Sequence, residues 1–79
     1  MKLQVLFFGA ACESTGSREI EIDVGEHGSV DVLVESLKGR FPRLASHKIL
    51  VAVNQEYAAS DRAISAADEI AIFTPVSGG

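Results

Sequence analysis

The sequence predicts an α+β roll: a mixed sheet of four to five strands with one main helix laid across one face. Apolar and polar residues alternate with a period of two toward both ends of the chain. One stretch between them shifts to a period of 3.6, and no second segment is long and periodic enough for another main helix. At 79 residues the chain is a single domain. A domain of this size buries only about 60–65% of its unfolded surface, so its core must be efficient. The 47% hydrophobic content is sufficient for that and excludes a disordered chain.

Residues 2–8 read as the first strand, with Leu3, Val5 and Phe7 alternating against Gln4, Leu6 and Phe8. The run GAACESTGS is small and polar, bracketed by Gly9 and Gly16, and reads as a loop. REIEIDV then alternates cleanly. Ile20, Ile22 and Val24 fall on one face and Glu19, Glu21 and Asp23 on the other, the pattern of a strand with one wet face. The two strands suggest a hairpin. GEHGS is a break, after which Val30, Leu33, Val34, Leu37 and Phe41 fall at i, i+3, i+4, i+7 and i+11. That is one apolar stripe of a helix over residues 29–41. Ser29 is the expected N-cap, and Asp31 sits where the helix dipole favours negative charge. Pro42 stops the helix by constraining Phe41.

RLASH reads as loop, and KILVAVN as a central strand covered on much of both faces. Asn54-Gln55 turns the chain toward a short edge strand at Glu56-Tyr57, and SDRAISAAD is polar and irregular. The last strand, EIAIFTP, sets Ile70 and Ile72 against Ala71 and Phe73. It must pair near the middle of the sheet to bury its apolar face. The expected organisation is a body over residues 1–74 and a flexible Gly-Gly tail over residues 75–79, leaving a rigid sheet.

Composition narrows the function. The net charge of −4 repels nucleic acid, no Lys/Arg cluster overrides it, and a basic protein partner suits the surface better. No run of ~18 uncharged apolar residues marks a membrane span. The start, MKLQVLFFGAA, briefly has the shape of a signal peptide. Cleavage after Ala11 would remove a major part of the core, so retention is expected. Cys12 is the only cysteine, which excludes an internal disulfide or a cysteine-based zinc site and fits a reducing cytoplasm. No cation flanks Cys12 to activate it and Glu13 disfavours a thiolate beside it, so it reads as an inert thiol. His27 and His47 lie far apart in polar loops with no acidic residue at ligand spacing, and Asp61-Arg62 reads as a solvated pair. No metal site and no active site assembled within this one chain are expected.

Adjacent residues of a strand point to opposite faces. With Phe7 in the core, Phe8 falls on the helix-free face, and Phe73 alternates there against Ile70 and Ile72. An apolar patch of Phe8 and Phe73, rimmed by Glu19, Glu21 and Asp23, is the expected partner interface. Beyond it, Pro75 stiffens the root of the tail, and Gly78 and Gly79 carry no side chains. Such an end can thread a channel little wider than the backbone. Its α-carboxylate, with a pKa of about 3.5, is anionic and unreactive at neutral pH, so another enzyme must activate it.

A roll of this order with a protruding Gly-Gly end resembles the β-grasp, or ubiquitin-like, superfamily. Within it the sequence resembles the molybdopterin synthase small subunits. The matching pieces are VLFFG with Glu13 in the first loop, SVDVLVESLKGRFP, LVAVNQEYA and DEIAIFTPVSGG, together most of the chain. Two departures are Cys12, where the family commonly has an arginine, and Thr74, where a second proline is common.

The resemblance implies a sulfur carrier whose Gly79 carboxylate is adenylated by an ATP-dependent, ubiquitin-activating-like enzyme and converted to a thiocarboxylate using a sulfur donor protein. Pro75, Val76, Ser77 and Gly78 would thread into the large synthase subunit, with Phe8, Phe73 and Thr74 docking beside it. Sulfur would pass to cyclic pyranopterin monophosphate inside a heterotetramer. The chain itself would bind no cofactor, and the catalytic side chains would belong to its partners. A thiazole-forming sulfur carrier of thiamine synthesis shares this fold and tail, although the long first loop argues against it. A protein modifier joined to lysines by its terminal glycine is the other alternative.

Overall fold

The computed structural model describes residues 1–26 and 28–74. They form β1 (Lys2–Phe8), α1 (Ala10–Thr15), β2 (Glu19–Asp23), α2 (Val30–Arg40), β3 (Leu50–Val53), β4 (Glu56–Tyr57) and β5 (Ile70–Phe73), with a 3₁₀ turn at Pro42–Ser46. The strands make one mixed sheet in the order β2-β1-β5-β3-β4. β1 and β2 are antiparallel, with Leu3 opposite Ile22 and Val5 opposite Ile20. β5 lies parallel to β1 on one side and antiparallel to β3 on the other, the central position expected from its apolar face. With α2 across one face, this is the arrangement of a β-grasp roll.

The covered face follows from strand alternation. Leu3, Val5 and Phe7 of β1, Ile22 of β2, Val51 and Val53 of β3, and Ile70 and Ile72 of β5 are all buried. Val30, Leu33 and Leu37 of α2 close over them. Each fully buried aliphatic side chain contributes about 1.5–3 kcal/mol relative to exposure. Phe41 meets the edge of the Phe7 ring, with centroids 5.9 Å apart and planes at 78°, a favoured aromatic geometry.

Several elements depart from the sequence reading. The first connection is a helix, α1, rather than a loop. Thr15 Oγ1 donates back to the Ala11 carbonyl, Ala11 is fully buried, and Gly16 ends the helix in the left-handed region at φ 71°. RLASH joins the 3₁₀ turn and buries Leu44 completely. α2 spans Val30–Arg40, with Ser29 and Phe41 as its flanking residues. Ser29 makes no side-chain cap bond; its hydroxyl donates to Asp31, whose Oδ1 also accepts the Val32 N–H. Val34 and Phe41, expected in the core, are half-buried: Val34 lines an open groove beside β3, and Phe41 lies just past the helix end.

The turn at Asn54 and Gln55 was expected, and both residues take positive φ, 52° and 70°. The Asn54 side chain secures it by donating to Asp68 and accepting the Glu69 N–H. The irregular segment before β5 is anchored by Ile64, which is buried and whose N–H donates to the Gly28 carbonyl. Gly28 is itself packed so closely that a Cβ would meet Val24 Cγ2 at 2.7 Å.

Candidate functional site

Parallel pairing fixes the geometry at one end of the sheet. β1 and β5 run the same way, so Phe8 and Phe73 are direct neighbours at their C-terminal ends. Their rings stack with centroids 5.1 Å apart and planes at 13°. Phe8 is 46% exposed, whereas Phe7, one residue earlier, is 3% exposed. The antiparallel β3–β4 hairpin then sets Tyr57 opposite Ala52, and the Tyr57 ring meets Phe73 edge-on at 6.4 Å. Phe8, Ala52, Tyr57, Ala71 and Phe73, with Gln55 and Glu69, line a shallow depression of about 320 Å³ on the helix-free face.

Two of these contributors escaped the sequence reading, while alternation had already set Ala71 on the face of Phe73. Tyr57 was assigned only to an edge strand, and its face was readable from the two-residue turn before it. Ala52 is too small to register in a hydrophobic pattern. The acidic rim also needs correction. Glu19 lies opposite Leu6, but Glu21 and Asp23 lie opposite Gln4 and Lys2, toward the far end of β1. Lys2 and Phe8, the two ends of β1, are six residue steps apart, roughly 20 Å. Glu19 approaches the aromatic end, and Glu69 lines the depression from its opposite end; Glu21 and Asp23 do neither.

Those distant carboxylates have partners of their own. Glu21 lies 3.7 Å from Lys2 Nζ, and Asp23 accepts a 3.1 Å bond from the N-terminal ammonium. The Gly25 N–H and that ammonium hold the Asp23 carboxyl below the usual carboxylate range. Just before β5, Asp68 is lowered in the same sense. The Ser65 N–H is the main cause, followed by the Asn54 amide, with Arg62 adding a weaker pull at 4.0 Å. This cluster braces the β3–β4 turn against the chain that enters β5.

Thr74 follows Phe73 and returns to the covered side, only 7% exposed. Its Oγ1 has no hydrogen-bond partner among the described residues. Pro75, Val76, Ser77, Gly78 and Gly79 lie outside the described residues, as does His27. Phe73 and Thr74 are the last described residues before that segment.

The remaining candidates are scattered. Cys12 is half-buried on α1, and His47 is exposed beyond the 3₁₀ turn. Among the described residues no group of three or more His, Cys, Asp or Glu side chains could hold a metal ion, and no helix is long and apolar enough to cross a membrane.

The comparisons with known proteins agree with this architecture. The chain is 37% identical to the molybdopterin synthase sulfur carrier subunit of Mycobacterium tuberculosis, over all of this chain and 99% of that one. It is also 37% identical to small archaeal modifier protein 1 of Haloferax volcanii, over 91% of this chain and 94% of that one. The crystal structure of SAMP1 from Haloferax volcanii superposes with a TM-score of 0.86 at 34% identity, covering the whole of both chains. The fold is thus the ubiquitin-like β-grasp. The ThiS family pattern is matched by residues 5–79, and the chain belongs to the ThiS family.

Proposed function

We propose that this chain is the sulfur carrier of molybdenum cofactor biosynthesis and acts as the small, sulfur-donating subunit of a molybdopterin synthase. The observation that carries the reading is its end-to-end likeness to a molybdopterin synthase sulfur carrier subunit, 37% identical over the whole chain. The family match also runs through Gly79, so it includes the glycine pair on which the chemistry depends.

In this reading the Gly79 carboxylate attacks the α-phosphorus of ATP on an adenylating enzyme and releases pyrophosphate. A sulfur nucleophile supplied through a donor protein then displaces AMP, leaving a thiocarboxylate. ATP is bound by the activating enzyme and not by this chain. The tail, residues 75–79, threads into the large subunit, where its sulfur is transferred to cyclic pyranopterin monophosphate and the carboxylate is regenerated. Catalytic side chains come from the large subunit. Docking uses Phe8 and Phe73, with Tyr57 completing the aromatic surface; Thr74, expected beside them, is buried and borders the contact from behind. The exposed stack of Phe8 on Phe73 at the tail root supports this assignment, since a partner gripping there also orients the tail. The reaction belongs to the reducing cytoplasm, where Cys12 stays a thiol.

The decisive measurement is the intact mass of the full chain produced together with its adenylating enzyme. One sulfur-for-oxygen exchange at the C-terminus is expected, and an unmodified mass under conditions that adenylate the chain contradicts the reading. The equal identity to a small archaeal modifier protein favours one second reading, conjugation of Gly79 to lysines. It predicts lysine-linked adducts in cell extracts, which a dedicated carrier does not form.

A further inference from the structure

The shortness of β4 leaves a gap at one edge of the sheet. Glu56 and Tyr57 pair with Val53 and Ala52, and the Ala58 N–H reaches the Val51 carbonyl at 2.9 Å. The chain then turns away. The Ser60 carbonyl accepts the Asp31 N–H and the Arg62 carbonyl accepts the Val30 N–H, both in the first turn of α2. Before Val51, the outer edge of β3 has no strand beside it among the described residues. A groove of about 380 Å³ occupies the space between that edge and α2.

Its lining has two characters. Val30, Val34, Ile49, Val51 and Ala58 supply an apolar floor, and Asp31 and Glu35, one helical turn apart, supply an acidic wall. Neither carboxylate is ion-paired among the described residues. The groove also explains the half-buried state of Val34: it sits on the helix stripe above an edge that no strand fills.

We propose that this groove receives an extended basic segment of a partner protein, added as a further strand to the β3 edge. The backbone of the segment would bond to the edge at Ile49, beyond the point where the Val51 carbonyl accepts the Ala58 N–H. Its inward aliphatic side chains would pack on Val34 and Ile49, and lysines or arginines would reach Asp31 and Glu35. Strand addition of this kind draws affinity from main-chain bonds and specificity from alternate side chains. Charge selects the occupant. A second copy of this chain carries the same net charge of −4, and the free outer strand it could offer, β2, presents Glu19, Glu21 and Asp23. A basic segment meets no such repulsion. The groove shares only Tyr57 with the helix-free aromatic depression, so its occupation is separable from docking there.

The test is a titration of the isotope-labelled full chain, followed by amide NMR, with the peptide Lys-Thr-Val-Thr-Val-Thr-Lys. Two controls replace both lysines by glutamate or N-methylate both valines. Saturable shifts are expected at Val34, Ile49, Val51 and Ala58 with the first peptide, weakening as salt is raised. Both controls should bind at least about fivefold more weakly, and Glu35→Lys should weaken the lysine peptide by about fivefold, the upper range for an exposed charge pair. Glu35 is exposed, so circular dichroism of that variant should match the parent. Equal binding of the glutamate peptide, shifts confined to Phe8, Ala71 and Phe73, or no saturable shift overturns the proposal. So does concentration-dependent self-association that produces the same shifts without peptide.

Discussion

Phe7 and Phe8 are neighbours in one strand, yet they belong to different parts of the molecule's work. Phe7 is buried under α2 against Phe41, and Phe8 stands in the open, stacked on Phe73. The same contrast holds across the whole sheet. One face carries the buried aliphatic rows of β1, β3 and β5, and the other carries Phe8, Ala71, Phe73, Tyr57 and the acidic residues of β2. A small domain with one helix has only enough apolar cover for one face. The other stays open, the face on which the proposed docking would occur, and strand alternation lets the same short segments line both.

The sharpest way to break the contrast is to truncate each phenylalanine in turn. Phe7→Ala should destabilise the fold by about 3–5 kcal/mol, as expected for a buried aromatic side chain. Phe8→Ala should change stability by less than about 1 kcal/mol, since its ring is half in solvent and stacks on the half-buried Phe73. Chemical denaturation measures both, and equal losses would show that the two faces are not distinct. Leu37→Ala, from the helix side, should cost about 2–5 kcal/mol. A harmless Leu37→Ala would mean that α2 does not hold the covered face.

Deleting Gly79 separates chemistry from both faces. The carboxylate retreats by about 3.5 Å, and a misplacement of about 1 Å already costs on the order of a hundredfold in rate. Conversion of the pterin precursor in a reconstituted synthase should fall by at least that factor, with an unchanged circular dichroism spectrum. Normal conversion would remove the sulfur-carrier reading. Phe73→Ala probes the open face with a smaller expected effect. It should weaken binding to the large subunit by more than about 1 kcal/mol if Phe73 is an anchor, with the isolated domain still folded. Calorimetric titration giving unchanged affinity would move the interface elsewhere.

The smallest effect is electrostatic. The folded state holds Asp68 below its ordinary value of 3.8, so the unfolded chain takes up its proton first as pH falls. The resulting stabilisation is present above about pH 4 and is lost as pH falls through the lower, folded value. Asp68→Asn should therefore show a shallower acid-side fall in Tm than the parent. Identical slopes would mean that the brace between Asn54 and Ser65 contributes nothing.

What the sequence revealed depends on how many residues carried each signal. β2 was legible because three aliphatic and three acidic residues alternate without interruption, and α2 because five apolar positions share one stripe. α1 was not legible, since six small or polar residues bury only Ala11 and the flanking glycines read equally well as loop. Leu44 and Ile64 are single apolar residues in polar surroundings, and only tertiary contacts reveal that they are core. At the candidate site, Phe8 and Phe73 were placed on the open face by alternation alone. Their stacking, and the arrival of Tyr57, depend on which strands are neighbours, and chain order does not determine that. The acidic rim is a different case: the hairpin expected for β1 and β2 already sets Asp23 opposite Lys2, at the far end of β1 from Phe8.

The central place of β5 bears on how the molecule comes into being. The last strand to be synthesised is the one that joins β1 to β3, and its pairing with β1 closes a loop of nearly the entire chain. Such long-range closure slows folding, because the entropy of ordering is lost before contacts repay it. During synthesis the β1–β2 hairpin and the β3–β4 hairpin have no strand between them until residues 70–73 are available. A nascent or prematurely ended chain therefore keeps its apolar rows exposed and remains a substrate for proteolysis. Attainment of the folded state itself reports that the polypeptide has been made at least as far as the base of its tail.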